Sequence, residues 1–368
     1  MKINLSFKEI RLMNLRDIAK LRLVNQQVIN SRSNSPKEIV SKMGAMQAQD
    51  YNMVKWAVGV RSKKLTDQLV ESAVSKGEII RTHVLRPTWH FVSSDDIYWM
   101  LELTAPRIRS AMKFRHKYLG FTNEIIRKSK KLIEKTITKH GHSTREALIS
   151  VLEKSKISTK ENRASHIFLI AELDGLICSG EIKNKKQTYA LLSERVPKSD
   201  LFNKEVSLGK LAMKYFTSHC PATLQDFKWW SGLSVADSKS ALEMVKNDLV
   251  SEKIGKQEFW FTNSNSVSKS GTASVHLLPA FDEFIIAYTD RTAALNADHH
   301  KKAIIRNGMF MPVIVINGQA AGTWKRTIKK DEVNIETEYF RSISKSEKKL
   351  ILEQFVKYSN FLNKDLSV

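Results

Sequence analysis

Two glutamines separated by a single alanine, at Gln47-Ala48-Gln49, are followed directly by the carboxylate of Asp50. An amide side chain offers one acceptor and two N–H donors, but it cannot act as a strong base or as a nucleophile. Two amides directed at one point can hold a water molecule or recognise a polar edge. Chemistry at this motif would therefore depend on positioning.

The chain before the motif predicts a helix. Ser35-Pro36-Lys37-Glu38 has the spacing of a capping box with proline in the first turn, and apolar residues follow it. Residues two apart do not share a face of an α-helix, so Gln47 and Gln49 converge only where a helix ends or is distorted. We therefore expect the motif at the end of this helix.

The charge of the chain indicates its partner. The 368 residues contain 60 Lys and Arg against 38 Asp and Glu, which gives a net charge of +22. Such an excess favours a polyanion, most often nucleic acid, although general solubility is the alternative explanation. Because the excess runs through the whole chain and is not confined to one tail, we favour nucleic acid.

The sequence lacks the motifs that identify several other classes of protein. The sequence has no P-loop, no dinucleotide-binding fingerprint and no serine or cysteine nucleophile motif. Cys178 and Cys220 have no metal spacing, and the adjacent His299 and His300 point apart, so we expect no metal and no cofactor. With no signal-peptide core and no apolar run of membrane length, we expect a cytoplasmic, nucleoid-associated protein.

The pattern of a capped helix, a turn, a second helix and a hairpin occurs three times, and it is the order of a winged helix. The first copy ends in a hairpin near Pro87. The second has capping patterns at residues 143–146 and 158–161, and the third at Thr223 and Ser234. We predict an α+β fold with winged-helix units at residues 1–120, 121–200 and 201–265.

Beyond the third unit, the predicted elements are mainly β strands. Residues 264–274 read as a linker, and an Asn317-Gly318 turn between apolar runs then predicts a β-hairpin. An amphipathic helix is predicted over residues 344–361. We expect residues 270–368 to form a small antiparallel β domain that this helix closes.

Several stretches of the sequence together match a known family. They are Gln47-Ala48-Gln49-Asp50, Trp56, Arg61, residues 81–90, residues 277–284, Asp290-Arg291 and residues 322–326. Through them the chain resembles the AlkZ-like winged-helix DNA glycosylases, although Pro87 and Trp89 stand where the family more often has glycine and leucine. The resemblance implies three winged-helix units and a C-terminal β-barrel, arranged as a C around DNA. It also implies removal of N7-alkylated purines, including bulky antibiotic adducts and interstrand crosslinks, with a catalytic Gln-x-Gln motif at Gln47 and Gln49.

The implied reaction agrees with the residues. An N7-alkylated guanine is cationic and leaves without an acid, so two neutral amides that place water suffice. Asp50 either stabilises the oxocarbenium-like sugar or polarises the water, or it only caps or pairs locally. No lysine lies inside the motif to form a Schiff base, which predicts a monofunctional enzyme. The alternatives are a DNA-binding protein without catalysis and, with less support, an RNA-binding protein.

The positions of basic side chains predict where double-stranded DNA binds. We expect the protein to be a monomer. Arg81, His83, Arg86 and His90 lie on the first predicted hairpin, where a β ribbon can enter a groove. Trp89 is either a wedge beside a base step or a core residue. A stripe at a spacing of four residues suits phosphates or a solvated helix face, and it consists of Arg109, Lys113 and Lys117.

Overall fold

The structure is a computed structural model that describes residues 13–198, 202–262 and 274–367. The predicted linker at residues 264–273 lies outside these ranges, as do the first residues of the chain. The fold is mixed α+β. Within the described ranges, no helix has both the length and the apolar character needed to cross a membrane.

The first part of the chain packs helices against a three-stranded sheet. Ser35 accepts a hydrogen bond from the backbone N–H of Glu38, and Pro36 lies in the first turn, as the capping pattern predicts. Gly44 has a φ of 78°, which ends the helix and turns the chain into a strand. The elements are α1 (Leu15–Asn25), α2 (Pro36–Met43), β1 (Ala45–Gln47), α3 (Tyr51–Val60), α4 (Asp67–Ser75), β2 (Ile79–His83), β3 (Trp89–Ser93) and α5 (Ile97–Tyr118).

The second part has the predicted helices and hairpin, with two errors in the capping. The first helix is capped by Thr144, which accepts from the backbone N–H of Ala147, one residue later than the pattern at residues 143–146 predicts. The cap predicted at residues 158–161 is wrong, because Glu161 and Asn162 take left-handed φ values of 53° and 67° and the helix begins only at Arg163. The elements are α6 (Asn123–His140), β4 (Ser143–Thr144), α7 (Arg145–Lys154), α8 (Arg163–Leu173), β5 (Ile177–Ser179), β6 (Thr188–Leu191) and α9 (Leu192–Arg195).

The third part follows the sequence pattern closely. Thr223 and Asp226 form a capping box, Ser234 caps the next helix, and Gly232 makes the left-handed turn between them. A hairpin of two six-residue strands follows. The elements are α10 (Lys204–Ser218), α11 (Leu224–Ser231), α12 (Val235–Val245), β7 (Leu249–Ile254) and β8 (Gln257–Thr262).

The last part is built on a five-stranded sheet of order β15-β14-β13-β12-β9, and the predicted hairpin at Asn317-Gly318 is confirmed. The sheet is a curled half-barrel with β9 and β15 at its edges. The elements are β9 (Val275–Leu278), α13 (Glu283–Ile286), α14 (His300–Ala303), β10 (Ile304–Ile305), β11 (Met309–Phe310), β12 (Val313–Ile316), β13 (Gln319–Ile328), β14 (Glu332–Tyr339), α15 (Lys345–Leu362) and β15 (Asp365–Ser367).

The sheet is not antiparallel throughout, which corrects the sequence-based prediction. Strand β15 pairs in parallel with β14, in the register Glu332 opposite Asp365. The reason is the helix α15, which carries the chain back along the sheet before β15 begins. A helical crossover of this kind places the following strand parallel to the preceding one.

The first and last parts of the chain share one core. The indole N–H of Trp56 donates to the carbonyl of Leu277 (2.8 Å), and that of Trp324 donates to the carbonyl of Leu278 (2.8 Å). The fully buried Arg61 makes two hydrogen bonds to the carboxylate of Asp282, at 2.8 and 2.9 Å. These contacts fix strand β1 and helix α3 against the C-terminal part. The number and boundaries of winged-helix units stay predictions.

Candidate functional site

The glutamine motif lies on a strand and the bend after it, and not at the end of helix α2. The helix ends at Met43, Gly44 turns the chain, and Gln47 pairs with His90 in the antiparallel ladder between β1 and β3. The backbone N–H of Ala48 continues the ladder by donating to the carbonyl of Trp89 (2.7 Å). Strand β1 ends at Gln47, whose side chain is buried, and Gln49 lies exposed in the bend that follows, so no helix end or distortion lies between the two glutamines.

Gln47 is buried and held from two directions. Its backbone N–H donates to Oε1 of Glu283 (2.7 Å), and its side-chain oxygen accepts from Nη2 of Arg86 (2.9 Å). A guanidinium has donors only, so the amide oxygen of Gln47 must face Arg86. The orientation of the amide is therefore fixed, while its second lone pair and two N–H donors remain for other groups.

The carboxylate that holds the backbone of Gln47, that of Glu283, is buried and makes further contacts. It is 1% exposed and also accepts from the indole N–H of Trp230 (3.1 Å), with Nε2 of His219 at 3.6 Å. Burial lowers the pKa of His219, whose ring stacks on Tyr215. Sequence reasoning gave Glu283 no role at the site, although it belongs to the Phe281-Asp282-Glu283-Phe284 segment that carries the family resemblance.

Gln49 and Asp50 differ in how firmly they are held. The side chain of Gln49 is exposed, and no hydrogen bond to another described residue fixes it. Asp50 caps helix α3, because its Oδ1 accepts from the backbone N–H groups of Asn52 and Met53, both at 3.0 Å. Its Oδ2 lies outside the cap, 3.9 Å from Nη2 of Arg326. Local capping, one of the two roles considered from sequence, is therefore present.

Arg81 supports the motif from the side. Its Nε donates to the carbonyl of Ala48 (3.0 Å), between the two glutamines, and its Nη1 donates to Gln187 (2.8 Å). The guanidinium also lies over the ring of Trp89, 4.3 Å from the centroid. Burial lowers the pKa of Arg81. These contacts show a structural role, and its contact with DNA stays a prediction.

An aromatic and cationic surface borders the pair formed by Gln47 and Arg86. The guanidinium groups of Arg86 and Arg291 each lie 5.7 Å from the ring centroid of Trp229. Trp229 is 42% exposed, and its indole N–H donates to the carbonyl of Ile286 (2.8 Å). Two cations around an exposed indole suit a phosphate backbone beside a sugar or base.

The burial of His83 and His90 does not agree with the predicted contact with DNA. His90 is fully buried, with Nδ1 2.9 Å from the carbonyl of Thr88, and burial puts its pKa well below the usual value. His83 is 7% exposed, hydrogen-bonded to Glu172 and packed on Trp89. Both rings face the protein, because the first hairpin is covered on both sides by other elements.

The basic stripe of α5 lies on the surface. Lys113 and Lys117 are exposed, and neither makes a hydrogen bond or ion pair with another described residue. Arg109 donates to the carboxylate of Asp174 and to the carbonyl of Leu173, both at 2.7 Å. Its charge is thus partly neutralised. None of the three contacts the glutamine motif, and their binding to phosphates stays a prediction.

The described ranges contain no cluster of three or more His, Cys, Asp or Glu residues that could hold a metal ion. His299, from the adjacent pair of histidines, packs against the ring of Phe340 with centroids 4.9 Å apart.

A family model described as "DNA glycosylase AlkZ-like" matches residues 40–361, a range that contains Gln47, Arg86 and Glu283. The chain belongs to the AlkZ-like DNA glycosylase family. The resemblance inferred from sequence motifs is thereby confirmed. This AlkZ-like chain is 21% identical over 313 residues to the "Interstrand DNA cross-link repair glycosylase" of Streptomyces sahachiroi, covering 79% of this chain and 82% of the relative.

The fold of the AlkZ-like chain matches a solved structure. It superposes on the Streptomyces sahachiroi DNA glycosylase AlkZ with a TM-score of 0.80, covering 97% of this chain and 100% of that structure. Sequence identity in this comparison is 15%, so the match concerns the fold.

Proposed function

We propose that this protein is a monofunctional DNA glycosylase that hydrolyses the N-glycosidic bond of N7-alkylated purines in double-stranded DNA. Gln47 and Gln49 hold the attacking water. The observation that carries the proposal is the held position of Gln47, because Arg86 donates to its amide oxygen (2.9 Å) and Glu283 accepts from its backbone N–H (2.7 Å). Membership of the AlkZ-like family supports the class of reaction.

The proposed reaction needs little from the protein beyond positioning. The bond between the sugar and the purine breaks, and its electron pair neutralises the positive charge of the alkylated base. Water adds to the sugar carbon and loses one proton. The free lone pair of the Gln47 oxygen accepts from the water, and Gln49 completes the site. Such positioning contributes several kcal/mol of barrier lowering.

Asp50 has a second role in this proposal. Its Oδ1 is occupied by the helix cap, whereas Oδ2 faces only Arg326 at 3.9 Å. A carboxylate at this position stabilises the positive charge that develops on the sugar and receives the proton that the water loses. Capping and electrostatic stabilisation are compatible because they use different oxygens.

The net charge of +22 favours binding to DNA. We assign the phosphates next to the lesion to Arg86 and Arg291, on either side of Trp229, and more distant phosphates to Lys113 and Lys117. Because a relative is named as an interstrand cross-link repair glycosylase, we include bulky adducts and crosslinks among the substrates. We propose that one protomer acts alone.

The test is release of a free base from a duplex that contains N7-methylguanine. We expect Gln47→Ala and Gln49→Ala each to lower the rate about 100-fold, since a small misplacement of the reacting groups has effects of this size. Binding of the duplex, measured by fluorescence anisotropy, should stay within about twofold. Gln68→Ala, at an exposed glutamine of α4, is the matched control.

Two results would contradict the proposal. A wild-type protein that binds the duplex but releases no base from any alkylated DNA would favour a DNA-binding protein without catalysis. Trapping of a covalent adduct by borohydride would exclude the monofunctional mechanism, because borohydride traps only an enzyme that forms a Schiff base with DNA.

A further inference from the structure

The C-terminal half of α5 packs one face on α8, where Nε2 of His116 lies 3.1 Å from Nδ1 of His166, and its other face is a basic surface with two exposed aromatic rings. The buried residues of this helix end at Ile108, so the last turns up to Tyr118 have no buried side chain. Phe114 is 81% exposed and Tyr118 is 70% exposed. Aromatic rings so open to water at adjacent positions indicate a binding surface, since their exposure is unfavourable in the free protein.

The two rings lie on one face of the helix. Residues four apart are neighbours on a helix surface, with about 6 Å between their Cβ atoms. The guanidinium of Arg115 covers the ring of Tyr118, 5.1 Å from its centroid. One face of Tyr118 is thus occupied by a cation, which leaves the other face, and the whole ring of Phe114, open to a ligand.

The charge around the rings is of one sign. No aspartate or glutamate occurs between Glu102 and Glu124 in the sequence, whereas Lys113, Arg115 and Lys117 surround the two rings. A nearby carboxylate, that of Asp174, is already bound by Arg109 and Lys130 at 2.7 and 2.5 Å. The surface therefore fits a polyanion that also carries apolar flat groups.

We propose that this end of α5, with Phe114 and Tyr118 as stacking platforms, binds single-stranded DNA. Bases inside a duplex have both faces covered by their neighbours, so exposed rings on a helix surface can stack only on unpaired bases. Phe114 has no polar group with which to recognise a base edge. Aromatic platforms inside a basic surface are the usual means of binding single strands without sequence preference.

The platform is separate from the glutamine site. Phe114 and Tyr118 make no contact with the motif, and the proposed base release from duplex DNA does not depend on stacking against these two rings. Only the choice of DNA over RNA rests on the proposed function, because ring stacking itself accepts bases from either strand type.

The test compares two labelled probes by fluorescence anisotropy at the same salt concentration, an oligothymidylate of about 12 nucleotides and an unmodified duplex of the same length. Removing one stacked base changes affinity about 5- to 150-fold. We therefore expect Phe114→Ala/Tyr118→Ala to weaken binding of the single strand at least about tenfold. Binding of the duplex should change less than about twofold. Phe114→Trp/Tyr118→Trp should restore binding of the single strand.

Two further variants separate stacking from charge and from loss of apolar surface. Leu352 and Val356 form an exposed apolar pair of the same spacing on α15, 46% and 44% exposed, so Leu352→Ala/Val356→Ala should bind both probes normally. Lys113→Ala/Lys117→Ala should weaken binding of both probes, because both carry phosphates.

Several outcomes would overturn the proposal. One is an affinity of Phe114→Ala/Tyr118→Ala for the single strand within about twofold of wild type, and another is an equal loss for both probes. Analytical ultracentrifugation adds a third: if the variant changes only self-association, the surface is an interface between two copies. An oligouridylate bound at least about tenfold more tightly than the oligothymidylate would assign the platform to RNA.

Discussion

Gln47 has an amide that faces a guanidinium and a backbone N–H that is bonded to a buried carboxylate. Among the three residues of the proposed active site, it is the one held through both its amide oxygen and its backbone, whereas Gln49 is exposed and Asp50 is engaged in a cap. We infer that Gln47 sets the position of the water and that Gln49 adapts to the DNA.

We therefore expect Arg86 to position Gln47 as well as to bind a phosphate, and the two roles affect different kinetic constants. Arg86→Met keeps most of the aliphatic stem but frees the amide oxygen of Gln47. We expect the rate of base release at saturating DNA to fall about 10- to 100-fold, because the amide can then rotate. Arg127→Met removes an equal charge from the exposed face of α6 and should change this rate less than about twofold.

Two kinetic constants of Arg86→Met, the maximal rate and the DNA concentration that gives half-maximal rate, together decide the role of Arg86. If Arg86→Met only raises the DNA concentration that gives half-maximal rate and leaves the maximal rate unchanged, then Arg86 binds DNA and does not position Gln47.

At the residue scale, the sequence predicted the glutamine motif but not the residues that hold it in place. Glu283 lies 236 positions from Gln47, and no local pattern joins residues so far apart. The histidines show a different limit. Alternation along a strand tells which residues share a face, but His83 and His90 were assigned to DNA because the pattern cannot show that both faces of the hairpin are covered.

At the scale of elements, helix caps and hairpin turns were predictable because each depends on a few neighbouring residues. Ser35, Thr223 and Ser234 cap helices as their spacing indicates. The position of β1 was not predictable, since three residues after a glycine carry no strand signal and form a strand only by pairing with β3. The parallel strand β15 depends in the same way on a long-range partner, β14.

Gly232 joins two of these elements. It ends α11 with a φ of +68°, and a Cβ at this position would overlap the carbonyl oxygen of Leu85, next to Arg86. We expect Gly232→Ala to lower the free energy of unfolding by about 2–4 kcal/mol, from the left-handed backbone together with the steric overlap. Urea denaturation measures this loss.

Gly255 is the matched control. Its φ is +61°, and an added Cβ would have no atom within 4 Å. Gly255→Ala should cost only about 1 kcal/mol, the contribution of the backbone conformation. Equal losses for the two variants would show that the overlap between the added Cβ and the carbonyl oxygen of Leu85 costs no stability.

At the scale of the whole molecule, buried histidines make stability depend on pH. Burial lowers the pKa of His90 and His219, and it lowers the pKa of His276 to about 4. Between the ordinary value near 6.5 and these lowered values, the unfolded chain binds more protons than the folded chain. The free energy of unfolding should therefore be highest above pH 6.5 and should fall as the pH falls through this window.

Each such histidine contributes a slope of up to about 1.4 kcal/mol per pH unit within its window. Urea denaturation at pH 7.5, 6.5, 5.5 and 4.5 measures the slope. His276→Gln should make it shallower between pH 6.5 and about 4, because the variant has no proton to take up on unfolding. An unchanged slope would show that His276 does not contribute.

The shared core of the first and last parts also has a consequence for biosynthesis. Trp56 packs against Phe361, with ring centroids 5.0 Å apart, and donates its indole proton to Leu277. On a ribosome that adds about 5–20 residues per second, the segment around Trp56 waits roughly 15–60 s for Phe361. During that time its tryptophan and apolar helix faces lack their native partners, so we expect truncated nascent chains to aggregate more readily than the complete chain.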